Sequence, residues 1–268
     1  VIKYNSDIKI GKLKKIINND DINWISKKES GFYADPFIYN NNGIPFVFFE
    51  NFDFRIGKGS ISIYDLNKKQ LLVNDLFKDG VHRSYPFIFC LKNELYLIPE
   101  ECVIGSQSIY RLDTNFQIVQ KWKILDHQCV DPTIFFYNKK YWLFCTIKND
   151  LPDINLHLFF SSDLTSGWMP HPMNPIKSDI KSSRPAGKIF IEDNQIFRPS
   201  QNSSKRYGNS IILNKILTLN ESEYSEQEIT ELFPIDKSDN NFGLHTLNVS
   251  NKIILIDSLK YGLKKYRL

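Results

Sequence analysis

The chain repeats one pattern along its length, and this repetition constrains the possible folds more than any other feature. Four times an X-Pro pair opens a short apolar run, with the prolines about 50 residues apart, at Asp35-Pro36, Tyr85-Pro86, Asp131-Pro132 and Arg184-Pro185. Residues 243–246 take the same place in a fifth unit that has no proline. Each run leads through a polar turn to a second apolar run and then to an alternating third, as in short antiparallel strands. This period is typical of β-propeller blades.

The repeats predict an all-β chain that forms one five-bladed β-propeller with four antiparallel strands per blade. The predicted blades are residues 30–80, 81–127, 128–176, 177–235, and 236–268 together with 5–25. Because the fifth unit ends after three strands, we expect an N-terminal strand near residues 8–16 to close the ring. A β-sandwich is the main alternative, but it would not need so regular a period. Since the first residue is valine, we expect this single domain, residues 1–268, to be part of a longer protein.

Composition argues against several classes of function. The chain has 34 Lys and Arg against 30 Asp and Glu, and this net charge of +4 without a dense basic stripe does not indicate nucleic-acid binding. No apolar run reaches the ~18 residues of a membrane helix, so no transmembrane segment is expected in this chain. The four cysteines form no CxxC pair, which argues against a zinc site, and no cofactor is predicted. Free thiols fit a reducing compartment, so a cytoplasmic location is expected.

Polar residues begin the first strand of every predicted blade. In a propeller these strands line the central axis, so the residues at their starts converge at one mouth. In chain order these residues are Asp35, His82, Arg83, Tyr85, Asp131, Arg184 and His245. A charged group at the start of an apolar strand is costly if it is buried without a partner. The set therefore predicts a polar pocket on the axis, although a single Asp-Pro pair can also simply mark a turn.

The second strands of the units also end in polar residues, namely Glu50, Glu100, Thr146, Gln201 and Asp257. In a pocket, burial would raise the pKa of Glu50 and Glu100 and make them candidate proton donors, whereas at a strand edge they would be solvated. Glu101, next to Glu100, is expected on the opposite face and in solvent.

Arginine and histidine residues near the predicted mouth indicate an anionic ligand. Arg83, Arg184, Arg198 and His245 all lie close to the starts or ends of inner strands. Because a guanidinium recognises phosphate or carboxylate with two parallel hydrogen bonds, such a pocket suits a sugar phosphate, a nucleotide sugar or an acidic glycan. The alternative, which stays open here, is that these side chains neutralise the nearby carboxylates and hold the blades together.

The Asp-Pro pairs that open the first and third units resemble those of the propeller superfamily of β-xylosidases, α-arabinofuranosidases, invertases and levansucrases. This resemblance implies that Asp35 is the base or nucleophile and that Asp131 orients and tunes the site. The general acid of that superfamily is a fourth-blade Glu, whereas residues 183–187 here contain none, so two-carboxylate hydrolysis is not expected. Some members carry an axial calcium, but nothing here specifies an oxygen cage, and no metal is predicted.

A second set of segments resembles the propeller unit at the N-terminus of plant glucosamine inositolphosphorylceramide transferases, and bacterial propellers that accompany sugar-modifying or glycosyl-transferring domains. The segments are residues 32–37, 82–86, 183–187, 197–201 followed by Tyr207-Gly208, and 243–246. The resemblance implies a carbohydrate context and a fused or associated catalytic domain. Mannoside phosphorylases, which are also propellers, are similar in placing basic residues beside a catalytic Asp.

Three functional hypotheses follow. The first is a carbohydrate-active enzyme that binds a glycoside or an anionic glycosyl donor at the axis and favours glycosyl transfer or phosphorolysis over hydrolysis. Its predicted catalytic residues are Asp35, Asp131, Glu100 and Glu50, and its predicted substrate-binding residues are His82, Arg83, Tyr85, Arg184, Arg198, Gln201 and His245. The second is a non-catalytic glycan-binding propeller that is accessory to a glycosyltransferase or sugar-modifying domain. The third is a structural or protein-interaction propeller.

Overall fold

The computed structural model describes residues 1–3, 9–17, 22–27, 30–101, 103–234, 242–250 and 253–259. The first elements are strand β1 (Ile2–Lys3) and helix α1 (Ile10–Ile17). A four-stranded antiparallel sheet follows, made of β2 (Gly31–Asn41), β3 (Ile44–Asp53), β4 (Lys58–Asp65) and β5 (Gln70–Val73). Within the described ranges, no helix is long and apolar enough to cross a membrane.

Three further sheets repeat this meander. The second sheet consists of β6 (Ser84–Leu91), β7 (Glu94–Glu100), β8 (Gln107–Leu112) and β9 (Ile118–Leu125). The third has β10 (Cys129–Tyr137), β11 (Lys140–Ile147) and β12 (Asn155–Ser161), with β13 (Met169–Pro170) and β14 (Lys177–Ser178) both paired to β12. The fourth has β15 (Phe190–Glu192), β16 (Gln195–Asn202), β17 (Ser210–Leu219) and β18 (Tyr224–Leu232).

The last sheet differs from the other four. It contains β19 (Gly243–Ser250) and β20 (Ile253–Leu259), and the two-residue β1 pairs with β20, so the described order is β1-β20-β19. The all-β propeller is therefore confirmed, but the prediction of five four-stranded blades is wrong, because the described residues form only four complete blades. Residues 235–241 and 260–268 of the predicted last unit lie outside the described residues.

The strand predicted near residues 8–16 is also wrong, because helix α1 covers most of that segment. Its apolar residues Ile10, Leu13 and Ile17 are three and four positions apart, which is the spacing of one helix face rather than the alternation of a strand. Leu13 and Ile17 are buried in the hydrophobic cluster that also contains Leu232 of β18 and Ile254 of β20. Burial of this face therefore favours the helix.

The inner strands carry β-bulges where the polar residues of the repeat occur. The pairing register shifts between Ala34 and Phe37, between Ser84 and Phe87, between Val130 and Thr133, and between Leu244 and Leu247. In the first three, the residue before proline has a left-handed backbone, with φ of 50° at Asp35, 44° at Tyr85 and 50° at Asp131. Such values are uncommon for residues other than glycine. A bulge re-aims a side chain, which here turns each polar residue out of the ordinary strand alternation.

Tyr85 joins three sheets at the axis. Its hydroxyl lies 2.9 Å from Thr133 Oγ1 on β10 and accepts the amide of Gly187 over 2.7 Å. Its ring packs edge-on against Phe37 of β2, with ring centroids 4.8 Å apart. Because this side chain is fully buried, it fixes the relative positions of the inner strands and thereby the floor of the axial opening.

Candidate functional site

The residues that begin the inner strands converge on a cavity of about 840 Å³. Its floor is polar and its rim is aromatic. The polar residues of the floor are Asp35, Glu50, Glu100, Asp131, Arg184, Tyr207, His245 and Asp257. They come from strands of four sheets and from two loops of the fourth sheet, so the cavity is built by the arrangement of the propeller and not by any one local segment.

Asp35 is held at the floor by contacts from neighbouring sheets. Its amide donates a hydrogen bond to Asp257 Oδ2 over 2.9 Å, and its Oδ2 accepts the amide of Tyr85 over 3.2 Å. Its Oδ1 lies 3.1 Å from His245 Nδ1. Burial raises the pKa of Asp35; His245 acts against this rise, and the carboxylates of Asp257 and Glu100 add to it.

Asp131 is the centre of a second hydrogen-bonded cluster. Its Oδ2 accepts bonds from Arg184 Nε over 2.6 Å and from Gln201 Nε2 over 2.9 Å, while its amide donates to Glu100 Oε2 over 3.1 Å. Arg184 also donates to Asp153 Oδ1 over 3.0 Å. Burial raises the pKa of Asp131 to about 7, although the positive charge of Arg184 lowers it. Two donors thus position the Asp131 carboxyl, which can carry a proton near neutral pH.

His245 connects two sides of the floor. Its Nδ1 lies 3.0 Å from Asp257 Oδ2, and its Nε2 is hydrogen-bonded to the Tyr207 hydroxyl. Burial alone would lower the pKa of His245, but the oxygen of Tyr207 and the carboxylates of Asp257 and Asp35 together raise it well above the usual range. Arg184 lies over the Tyr207 ring, with its Cζ 4.8 Å from the ring centroid.

Glu50 packs against the backbone of Gly59 on the neighbouring strand. A Cβ on residue 59 would lie 2.1 Å from Glu50 Oε1, so only glycine leaves room for this carboxyl. Burial raises the pKa of Glu50 well above its ordinary value, and the charge of Asp35 adds to the rise. The amide of Gly59 donates to His82 Nδ1 over 2.8 Å, which fixes the His82 ring beside the cavity.

The rim of the cavity carries three phenylalanines from the first sheet. Phe32 and Phe52 are stacked with ring centroids 4.8 Å apart and an interplanar angle of 4°. Phe54 packs against both rings, at 5.8 and 5.7 Å. Phe32 is 40% exposed and Phe54 is 53% exposed, so an apolar surface meets solvent directly beside the polar floor. This combination of a polar floor and an apolar wall is typical of small-molecule sites.

Asp35, His245 and Asp257 place three potential ligand atoms within 4.8 Å of one another. These donors do not fit a calcium ion, which requires six to eight oxygen ligands. The His245 nitrogen already faces two carboxylate oxygens, so we assign no metal to this cluster.

Two of the predicted substrate-binding arginines lie outside the cavity. Arg83 donates to Glu101 Oε1 over 2.8 Å and to both Asp79 oxygens over 2.8 and 3.0 Å. Arg198 forms a two-pronged ion pair with Glu226 at 2.8 and 2.6 Å. All four arginine and glutamate side chains of these pairs are buried. The expectation that Glu101 is solvated is therefore wrong.

Two other predicted residues reach the site indirectly. Tyr85 is fully buried and contacts the floor only through its amide, and Gln201 is buried behind Asp131. The structure in turn adds Tyr207 and Asp257, which were not predicted as site residues. Asp257 was visible only as the polar end of a strand. Tyr207 lies in the loop between β16 and β17, and its only sequence signal is its place, together with Gly208, in the motif of the family resemblance.

The sequence matches the family described as the N-terminal region of glucosamine inositolphosphorylceramide transferase 1 over residues 20–250. The chain belongs to this family. It is 32% identical over 216 residues to glucosamine inositolphosphorylceramide transferase 1 of Arabidopsis thaliana, and 30% identical over 209 residues to that of Oryza sativa subsp. japonica. These matches cover 75% and 74% of this chain but 27% and 28% of the plant proteins. The chain thus spans about a quarter of the length of these curated relatives.

Solved structures with a fold similar to that of this member of the transferase N-terminal family include glycoside hydrolases. An α-L-arabinofuranosidase from Podospora anserina in complex with cellotriose superposes with a TM-score of 0.57 at 11% identity, covering 86% of this chain and 78% of that one. A thermostable family-43 glycoside hydrolase superposes with a TM-score of 0.53 at 10% identity, covering 87% and 77%. At such low identity the likeness concerns the fold alone: a propeller like those of glycosidases.

Proposed function

We propose that the axial cavity binds a glycoside or an anionic glycosyl donor and that the site transfers the glycosyl group. The observation that carries this proposal is the cavity itself, in which Asp35, Glu50 and Asp131 lie beside Arg184 and His245 under an aromatic rim. Sugars present both hydroxyl groups and apolar C–H faces, and a polar floor with an aromatic wall suits both.

The protonation of carboxyl groups in the floor is compatible with an anionic group in the ligand. Burial raises the pKa values of Glu50 and Asp131, so these two carboxyls hold protons to higher pH than in water. A protonated carboxyl donates a hydrogen bond and does not repel an anion. Arg184 uses one N–H for Asp131 and one for Asp153, which leaves further guanidinium donors for a phosphate or carboxylate.

Within this proposal Asp35 acts as the base or nucleophile, and Asp131, fixed by Arg184 and Gln201, orients the sugar. Transfer or phosphorolysis is favoured over hydrolysis because the fourth sheet contributes Arg184, and no carboxylate from that sheet lines the cavity among the described residues. The name of the plant relatives combines glucosamine with inositolphosphorylceramide. Nucleotide-activated glucosamine and inositol phosphates are therefore the first ligands to examine.

The test combines binding with turnover. We expect nucleotide-activated glucosamine, glucosamine phosphate or an inositol phosphate to raise the Tm of the wild type. We also expect mass spectrometry to detect product when the protein is incubated with donor and acceptor. Asp35→Asn should abolish product and keep the Tm shift, whereas the exposed Asp126→Asn should behave as wild type. Turnover that survives Asp35→Asn would contradict the assignment of Asp35.

A second candidate is a glycan-binding domain accessory to a separate catalytic domain. The ion pair between Arg184 and Asp131 favours this candidate. It places a neutralising cation at the axis, in the position where a catalytic fourth unit would contribute an acid. In this case the same ligands raise the Tm, no product forms with any donor, and Asp35→Asn leaves the Tm shift unchanged.

A further inference from the structure

A chain of hydrogen-bonded side chains runs from Tyr207 at the cavity surface to Asp257 in the floor. The reaction proposed above gives this chain no role. The Tyr207 hydroxyl is bonded to His245 Nε2, and His245 Nδ1 faces Asp257 Oδ2 at 3.0 Å and Asp35 Oδ1 at 3.1 Å. Tyr207 lines the cavity and is 46% exposed, whereas the histidine and the two carboxyl groups are buried beneath it.

The hydrogen-bonding capacities of these groups determine where the protons lie. The oxygens that face Nδ1 belong to carboxyl groups, and Asp257 already accepts the amides of Asp35 and Thr246 over 2.9 and 2.6 Å, so Nδ1 carries the hydrogen. Two carboxyl groups at one nitrogen favour the imidazolium form, in which Nε2 also carries a hydrogen. Nε2 then donates to the Tyr207 oxygen, and the hydrogen of the Tyr207 hydroxyl is free to point at a ligand.

We infer that Tyr207 is the proton donor of the axial site and that His245 supplies its replacement proton. This inference rests on the proposed glycosyl transfer. Tyr207 lies in the loop that joins β16 and β17 of the fourth sheet, and no glutamate of that sheet lines the cavity among the described residues. The Arg184 guanidinium, 4.8 Å from the ring centroid, favours the negative charge that develops on the tyrosine oxygen as its proton leaves.

The transfer step balances with the groups in place. As the bond between the anomeric carbon and the leaving oxygen breaks, its electron pair stays on that oxygen, which takes the proton of the Tyr207 hydroxyl. The Nε2 proton of His245 moves to the Tyr207 oxygen, which leaves a neutral imidazole. The acceptor hydroxyl forms the new bond to the anomeric carbon and gives its proton to Asp35. The proton gained by Asp35 and that lost by His245 are then exchanged with solvent.

Glu50 is the competing donor, and its surroundings differ from those of Tyr207. Its carboxyl is buried against the Gly59 backbone and is affected by the charges of Asp35 and His245, but no hydrogen bond among the described residues joins it to the histidine chain. It lies on the first sheet, the same sheet as the base Asp35. A donor and a base on different sheets can lie on opposite sides of the scissile bond. This favours Tyr207, in a loop of the fourth sheet, over Glu50.

The first test uses the dependence of rate on the leaving group. Glycosides with 2,4-dinitrophenyl, 4-nitrophenyl and methyl leaving groups are compared for the wild type, Tyr207→Phe, Glu50→Gln and the remote control Tyr137→Phe. General acid catalysis contributes about 100- to 10,000-fold, and mainly for poor leaving groups. We expect Tyr207→Phe to lose this factor with the methyl glycoside and almost nothing with the dinitrophenyl glycoside, while Tyr137→Phe stays at the wild-type rate.

If Glu50→Gln shows that pattern and Tyr207→Phe does not, the inference is overturned while the proposed transferase activity stands. If the wild type turns over none of these glycosides and no activated glucosamine, both fail together.

The second test does not depend on activity. The ¹⁵N shifts of His245 at pH 7 should be those of an imidazolium with both nitrogens protonated, in the wild type and in Tyr207→Phe. A neutral ring with an unprotonated Nε2 would mean that the Tyr207 hydroxyl donates its hydrogen to His245 and not to a ligand. This result would overturn the inference even if sugar transfer is observed.

Discussion

Replacing Arg198 with methionine should destabilise the fold and leave ligand binding at the axis unchanged. Arg198 is 1% exposed and forms two bonds to Glu226, and it also donates to the carbonyl oxygens of Ser182 and Ser183. Lys177 donates to the same glutamate over 2.6 Å. The residue therefore connects β16 to β18 and to the loop before β15, and none of its bonds reaches the axial cavity.

The size of the effect can be worked out in two ways. Removing one partner of a buried ion pair costs about 3–5 kcal/mol, because the other charge stays buried. Independently, Glu226 is buried, which by itself would raise its pKa, but Arg198 and Lys177 lower the pKa from 4.5 to about 2. At about 1.4 kcal/mol per pKa unit this net shift corresponds to about 3 kcal/mol, which is what remains of the stabilisation by both cations after the opposing effect of burial. We therefore expect Arg198→Met to lower the free energy of unfolding by about 3 kcal/mol at pH 7.

Urea denaturation at pH 7 and at pH 3 measures this loss. A carboxyl whose pKa is lowered on folding contributes stability above its unfolded pKa of about 4.5, and this contribution is lost as the pH falls towards 2. The difference between wild type and Arg198→Met should thus be smaller at pH 3. Arg111→Met is the matched control, since Arg111 is bonded to Glu94 over 2.6 Å but its side chain is 34% exposed, and it should cost no more than about 1 kcal/mol. A stable Arg198→Met variant that no longer binds sugar would refute the reasoning.

Three further predictions follow from the site and the core. Gly59→Ala pushes a Cβ to 2.1 Å from Glu50 Oε1, so overpacking should lower the free energy of unfolding by about 1–3 kcal/mol in urea titrations, and an unchanged midpoint would contradict this geometry. Because the pKa of Asp131 is raised to about 7, the folded state keeps a proton that the unfolded chain has lost; stability should fall as the pH rises from about 4 to 7, and Asp131→Asn should flatten this slope. Cys129 and Cys145 are buried with Sγ atoms 3.2 Å apart, so a thiol reagent followed by mass spectrometry should label neither before unfolding.

The sheets could be predicted from sequence because every unit repeats the same local signals. Alternating apolar residues, polar turns and X-Pro openings are all encoded within about 50 residues, and strand pairing inside a blade is local. The number of complete blades could not be obtained in this way. Closing a propeller depends on how the first and last segments meet. There the repeat predicts a strand, whereas the apolar spacing of Ile10, Leu13 and Ile17 fits a helix.

The fourth unit illustrates a second limit of the repeat. Arg184-Pro185 was expected to open an apolar strand, but Pro185 forms only an isolated bridge with Ser200, and the first strand of this sheet is the short β15. Gly187, with φ of 127°, approaches the backbone of the last sheet so closely that a Cβ would lie 2.0 Å from the Leu247 oxygen. This contact between sheets has no signature in the local sequence.

The two arginines that lie outside the cavity show how the site follows from strand geometry. Successive side chains of a strand point to opposite faces, so Arg198 and Gln201, an odd number of residues apart on β16, cannot both face Asp131. Gln201 does, and Arg198 therefore points between β16 and β18. Arg83 and Glu101 are bonded to each other away from the cavity that their neighbours His82 and Glu100 line. The β-bulges add the complementary effect at Asp35 and Asp131, because a left-handed residue before proline breaks the alternation and turns a carboxyl towards the axis. The same geometry thus separates the charges that stabilise the blades from those that are available to a ligand.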